Sequence, residues 1–562
     1  MPKMSGARFL ARTLEGYGVT SVFFVPTILT RMLMEFEERN QVRRVLTHGE
    51  KAAAYMADGY ARASGRPGVC LAQTVGAANL AAALRDPYLA CSPVLAFTGG
   101  ASPPSAHRPF YQQIEDFPLF KPVTKFSARV DTLDRLPDLL RQAFRAATSD
   151  TPRPAHLELA GHQGDVENQE ADLEIIVEEA FGRSAPFRPA PDPAEVEAAL
   201  AALAGAERPV IVAGGGVRAS GAGAELATLA EALTIPIVTS LNGKDTVPGD
   251  HPLLAGVVGL YSRKSANRTV LEADLVFYVG SQTGSQVTHS WQVPPPGAQV
   301  IQLDINPQML GVGYPLKAAV NGDAKVSLQK MIEGAAKAGG AAPSPARKAW
   351  VDRVQALVRE WREEHAANMN SDAAPIRPER ICKALTDHLP SDAVLLTDTG
   401  HSGMWTGGMV DLNAPGQGYL RAAGSLGWGL PAALGAKCAL PDRPVILFTG
   451  DGGLWYHLSE IETAVRCGIN AVILVNDNRS LNQEIHPFTR AGGGKLVGRH
   501  HELWHFEDVN LAKVAESMGA LGIRVENGKD LPGALDQAFS AGRPVLIDVA
   551  TDMQALAPVA HV

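Results

Sequence analysis

The stretch GDGGLWYHLSEIETAVRCGINAVILVNDNRS, residues 450–480, decides how the chain is read. The apolar run 445–448 reads as a strand entering its glycine turn. An amphipathic helix follows, then a second apolar strand at 471–475 that stops at Asn476-Asp477-Asn478. Two strands joined by a helix form a parallel βαβ unit, and such units bind ligands beyond the carboxyl ends of their strands. Gly450-Asp451-Gly452 and Asn476-Asp477-Asn478 both fall at that end.

Asp451 offers a carboxylate and Asn478 an amide oxygen, hard ligands suited to Mg²⁺ or Ca²⁺ rather than to zinc. Two protein ligands leave coordination positions for a phosphate-bearing ligand. Gly452 and Gly453 let a phosphate approach the backbone at the following helix's N-terminus. Turn-forming Asp, Asn and Gly explain either cluster alone; together on one edge they point to a metal–diphosphate site.

Outward from this unit, 562 residues are too many for one core and imply three or four domains. With 46% hydrophobic and 20% charged residues the composition is that of a globular protein. A net charge of -8 supplies no basic field for nucleic acid or an anionic membrane. No apolar run approaches the roughly twenty residues needed to span a bilayer. The N-terminus reads as an amphipathic helix rather than a signal peptide. Cys70, Cys91, Cys382, Cys438 and Cys467 are scattered without CxxC pairing, which predicts reduced thiols and a cytoplasmic protein.

The pattern predicts an α/β fold of three doubly wound domains with mainly parallel sheets, at residues 1–180, 190–335 and 365–555. Apolar runs predict strands at 19–25, 42–46, 68–72, 92–97 and 155–159 in the first domain. They predict strands at 209–213, 235–239, 275–279 and 299–303 in the second, and at 393–396, 418–420, 445–448, 471–475 and 544–549 in the third. Residues 178–193 and 335–346 read as linkers. Gly214-Gly215-Gly216 after a strand resembles half of a dinucleotide-binding turn without a full G-x-G-x-x-G. The first and third domains match in strand count, consistent with a duplication.

Glu50 opens a helix rich in Ala, Met and Tyr, so its carboxyl is expected to face a packed interior, where desolvation suits proton exchange. Gln112 and Gln113, after a loop containing His107, are uncharged groups able to orient a carboxylate or carbonyl. Thr399-Gly400-His401-Ser402 is a second phosphate-friendly turn. Residues 424–431, GSLGWGLP, surround one bulky Leu426 with glycine.

These segments together resemble the thiamine-diphosphate-dependent family of acetolactate synthase, pyruvate decarboxylase and benzaldehyde lyase. The resemblance rests on GDG with NDN ending twenty-seven residues after Asp451, on HGE followed by AAYMADGYARASG, and on GSLGWGLPAALGAK. It implies pyrimidine-binding, central and diphosphate-binding domains, in that order. Asp451, Asn478 and the Ser480 carbonyl would hold Mg²⁺. Gly400, His401, Ser402, Gly452 and Gly453 would contact the diphosphate, Leu426 would wedge beneath the cofactor, and the Gly424 carbonyl would accept from its aminopyrimidine. Glu50 would reach that ring from a neighbouring subunit, so a homodimer or homotetramer with active sites at the interface is implied.

The departures from the family lie around the substrate. The strand end reads Val25-Pro26-Thr27-Ile28-Leu29, and Leu481-Asn482-Gln483-Glu484 follows the metal motif. Ile28, Gln112, Gln113, Asn482, Gln483 and Glu484 are therefore the candidate substrate contacts. The expected function is a carbon–carbon lyase or carboligase, a lyase or transferase acting on 2-oxo acids, aldehydes or acyloins. The scarcity of pocket histidines tilts the reading towards carboligation, since fewer proton donors would divert the reaction. The alternatives are an acetolactate-synthase-like enzyme holding FAD, a group not expected here, and a non-catalytic regulatory paralogue that still binds the cofactor.

Overall fold

Alternating strands and helices give three parallel six-stranded sheets in the computed structural model, which describes residues 3–39, 42–105, 107–337 and 344–559. The N-terminal sheet runs in the order Arg43–Leu46, Ser21–Phe24, Gly68–Ala72, Val94–Gly100, Ala155–Ala160, Phe126–Val130. The C-terminal sheet runs Gly418–Arg421, Val394–Thr397, Val445–Gly450, Val472–Asp477, Val545–Ala550, Leu521–Val525. Counted in chain order within each sheet, both follow 2-1-3-4-6-5. The identity of the two orders supports duplication more strongly than strand count does. The central sheet instead follows 3-2-1-4-5-6, from Leu254–Val257 to Ala318–Asn321, the order of dinucleotide-binding folds.

The middle strands are apolar on both faces because helices cover both, as in Val445–Gly450 and Val472–Asp477, where nearly every residue is buried. Within the three large sheets, four strands escaped the reading of the sequence: Phe126–Val130, Leu254–Val257, Ala318–Asn321 and Leu521–Val525. All four are edge strands. An edge strand is covered less, so it need not carry a continuous apolar run, and FSARV and LGIRV do not.

Two further expectations change. The helix after Gly450 is broken into Asp451–Trp455 and Glu460–Cys467. The segment 178–193 is not a loose linker, because Phe181 is buried in the N-terminal core and packs edge-on against Phe187. Of the other expected linker, 338–343 lie outside the described residues, while Ser344 caps the 25-residue helix Pro345–Met369. Trp350 of that helix joins the central core and Trp361 the C-terminal core.

The N- and C-terminal sheets meet through the helices Glu50–Ser64 and Gly429–Ala439. A Cβ on Gly59 would lie 2.0 Å from the Ala432 carbonyl oxygen, and one on Gly435 would lie 1.9 Å from that of Met56. Glycine at both positions is what lets the two backbones touch.

Candidate active site

Strand register brings the two polar clusters of residues 450–480 together. Gly450 lies opposite Asn476 in the parallel pair, so the turns that follow share one edge of the C-terminal sheet. The Thr399–Ser402 turn leaves the neighbouring strand, and the three turns enclose a cavity of about 240 Å³. Gly400, His401, Ser402, Leu426, Asp451, Gly452, Gly453, Asn478, Ser480, Asn482, Gln483 and Glu484 all line it, as does Tyr261 from the central domain.

Asp451 opens its helix with a carboxylate that is 2% exposed, and neither oxygen has a hydrogen-bond partner. Burial, then the charge of Asp477, push this carboxyl up to about 8. The Asn476 side-chain oxygen is also buried without a partner. Asp477 turns away to Arg524, and the Asn478 oxygen accepts from the Ser480 amide and hydroxyl, both at 3.0 Å. Unpaired oxygens in a buried acidic pocket are an electrostatic deficit that a hard divalent cation fills. Gly400, at φ +66, makes its turn in the left-handed region that favours glycine. Gly452 presents the start of a helix to the cavity.

The loop carrying Leu426 is held from two sides. Asp398 accepts from the amides of Thr399, Gly427 and Gly429. From the N-terminal domain, Asp86 accepts from the amides of Ala423 and Ser425. Arg62 pairs with both Asp58 and Asp86 in the same buried network, and the Trp428 indole donates to Asp58. Gly424 stands at φ +141 with open space around it.

His401 donates from Nδ1 to the Asn482 oxygen at 2.8 Å, and burial pushes its imidazole down to about 4, so it is neutral near pH 7. The Asn482 amide nitrogen donates to the carbonyls of Met553 and Ala555. Both ends of that side chain are thus engaged, whereas Gln483 and Glu484 also line the cavity. Ile28, expected beside the substrate, is fully buried beneath Gly164 in the N-terminal core. The apolar side chain is worth more there than at a wet cleft.

Glu50, Gln112 and Gln113 do not line this cavity; they gather at the carboxyl edge of the N-terminal sheet. Glu50 is half-buried rather than enclosed, and its carboxylate accepts from Asn79 at 3.1 Å and lies over Gly76. The backbone before it is tied to the C-terminal domain, the His48 amide donating to Glu460 at 2.9 Å. Gln112 is joined to His162. His107 is exposed.

Three family models match the chain in order: thiamine pyrophosphate enzyme N-terminal domain at 4–119, central domain at 196–331 and C-terminal domain at 398–549. The chain belongs to the thiamine pyrophosphate enzyme family. A probable acetolactate synthase large subunit of Methanocaldococcus jannaschii is 32% identical over 98% of this chain and 92% of its own length. The acetolactate synthase isozyme 3 large subunit of Escherichia coli K12 is 27% identical over 98% and 96%. The glyoxylate carboligase of Escherichia coli O157:H7 is 29% identical over 96% and 91%.

As a thiamine pyrophosphate enzyme, the chain presents a cavity whose chemistry fits a metal-bound diphosphate: unpaired buried oxygens beside glycine turns at a helix start. Four contributors were not singled out from the sequence. Asn476 and Asp398 lay inside the quoted motifs, but only the strand register shows where they point. Asp86 carries no local signal. His162 was legible only as Gly-His-Gln-Gly after the last N-terminal strand, and it supplies the side chain to which Gln112 is bound.

Proposed function

We propose that this protein is a Mg²⁺- and thiamine-diphosphate-dependent carboligase or decarboxylase of 2-oxo acids, with aldehydes or acyloins as further partners. The observation that carries the reading is the buried Asp451 carboxylate with both oxygens unpaired. Asp451, Asn478 and Ser480 would hold Mg²⁺, and Gly400, His401, Ser402, Gly452 and Gly453 would meet the diphosphate. Leu426 and the Gly424 carbonyl would receive the remainder. When bound, thiamine diphosphate supplies a nucleophilic carbon and an electron sink for breaking or making a bond beside a carbonyl.

The chain's own part is placement and proton control. Asp451 neutralises the cation, Asp398 and Asp86 stiffen the Leu426 loop, and neutral His401 adds no charge of its own beside the diphosphate. Glu50 of a neighbouring subunit would face the far end of the cofactor and exchange a proton there, while Gln112, Gln113, Gln483 and Glu484 would orient the substrate. Closing these groups over the substrate excludes water and pre-pays its orientation.

Glu50 and the cavity belong to different edges, which supports an active site shared between subunits of a homodimer or homotetramer. Exposed Val75, Phe110, Tyr111 and Ile114 in the N-terminal domain, and Trp455 and Tyr456 in the segment after Asp451, supply apolar surface for that contact. We take the domains as 1–180, 190–335 and 365–555. A cytoplasmic location is supported by five unpaired cysteines; no described helix is long and apolar enough to cross a membrane.

A cavity of about 480 Å³ supports a second ligand. It is lined by Gly215, Gly216, Gly280, Ser281 and Asp304 at the central sheet's switch point, and Tyr261 separates it from the first cavity. A nucleotide such as FAD suits that position. Flavin absorbance in the purified protein checks it, and a colourless, nucleotide-free preparation removes it. The main reading is tested by supplying thiamine diphosphate and Mg²⁺ with 2-oxo acids, alone and with aldehydes. CO₂ release and ketol products are expected; cofactor binding without turnover would instead favour the regulatory paralogue.

A further inference from the structure

We propose that His162 is a positioning residue for a 2-oxo acid: it engages the Gln112 amide oxygen so that the NH₂ group is left as a donor to a substrate oxygen. The inference rests on the proposed function and deepens it.

His162 is pinned by its backbone at the carboxyl end of the strand Ala155–Ala160. Its carbonyl accepts from the Thr74 amide at 3.2 Å and the Thr74 hydroxyl at 3.1 Å. A Cβ on Gly99 would lie 2.1 Å from that oxygen, so the segment is packed against bare backbone. Its Nε2 stands 2.9 Å from Gln112 Oε1. An amide oxygen only accepts, so Nε2 carries the hydrogen, and Nδ1 is left buried without a partner. Gln112 itself stands at φ +63, a left-handed backbone that this bond helps to hold.

With its oxygen engaged, Gln112 has one function left. Its amide nitrogen makes no hydrogen bond among the described residues, and Glu50 lies on the same sheet edge. Two fixed N–H donors match a carboxylate or carbonyl oxygen and reject a cation. They also stabilise that oxygen without surrendering a proton near neutral pH. The Nε2 proton of His162 is committed to Gln112.

The test titrates oxamate, an unreactive 2-oxo acid isostere, by calorimetry into protein loaded with thiamine diphosphate and Mg²⁺. Gln112→Ala and His162→Leu are each expected to weaken oxamate about tenfold, the size of one hydrogen bond to a charged group. The double variant should be no weaker, and His162→Gln, which keeps a donor, should bind like wild type. In turnover with pyruvate or glyoxylate, His162→Leu should raise KM with little change in kcat. Melting temperature and thiamine diphosphate affinity should be unchanged in all variants. Unchanged oxamate affinity in His162→Leu, or losses that add in the double variant, overturn the proposal. Absence of oxamate binding by loaded wild type overturns the 2-oxo acid assignment. Failure to bind thiamine diphosphate overturns instead the reading on which it rests.

Discussion

Asp451 is the residue on which the most depends. Its carboxylate is buried without partners, so the fold sacrifices stability there. Asp451→Ala is expected to abolish Mg²⁺-dependent cofactor binding, followed by tryptophan fluorescence quenching, while the unliganded protein melts no lower than wild type. A lower melting temperature would mean that the carboxylate is structural. His156 gives a prediction of the opposite kind. It bonds to Thr98 and Ser127, stacks on Phe120, and burial pushes its imidazole down to about 3. The unfolded chain therefore takes up this proton first as pH falls. The contribution is intact above about 6.5 and is lost progressively towards pH 3. Against His156→Gln, denaturant unfolding should show wild type losing roughly 3 kcal/mol more between pH 7 and 4.

Among elements, the crossing of Glu50–Ser64 with Gly429–Ala439 sets how the Glu50 helix docks on the C-terminal domain. An alanine inside a helix normally gains about 1 kcal/mol over glycine. At Gly435 the added methyl would sit 1.9 Å from a backbone carbonyl, which cannot rotate away. Gly435→Ala is therefore expected to destabilise by about 1–3 kcal/mol, read from chemical denaturation. The Leu426 loop makes the related point: its amides are held by Asp398 within its domain and by Asp86 from the N-terminal one. The helical stretch before Pro87 gave no hint of that role.

Across the whole molecule, the groups expected to act together stand on two sheets of the same topology. If Glu50 of one subunit completes the cavity of another, Glu50→Gln and Asp451→Ala are each inactive alone. Co-refolded in equal amounts they should recover roughly a quarter of wild-type activity, from statistical mixing in a two-fold dimer. No recovery, with mixed dimers demonstrated by mass spectrometry, would place both groups in one chain.

The sequence by itself determined the three α/β units, the buried strands and the polar glycine turns at the strand ends. Those features are local: a continuous apolar run marks a covered strand, and glycine beside Asp or Asn marks the turn beyond it. Tertiary structure decided what depends on neighbours distant in the chain. Edge strands such as Phe126–Val130 and Leu521–Val525 lack the apolar signature because they are less covered, and the central 3-2-1-4-5-6 order depends on pairing rather than composition. Ile28 left the site for the core, Asn482 turned to clamp His401, and Glu50 proved half-exposed. His162 met Gln112 fifty residues away. Hydrogen bonds of that kind follow from which strand ends share an edge, and no spacing in the chain records it.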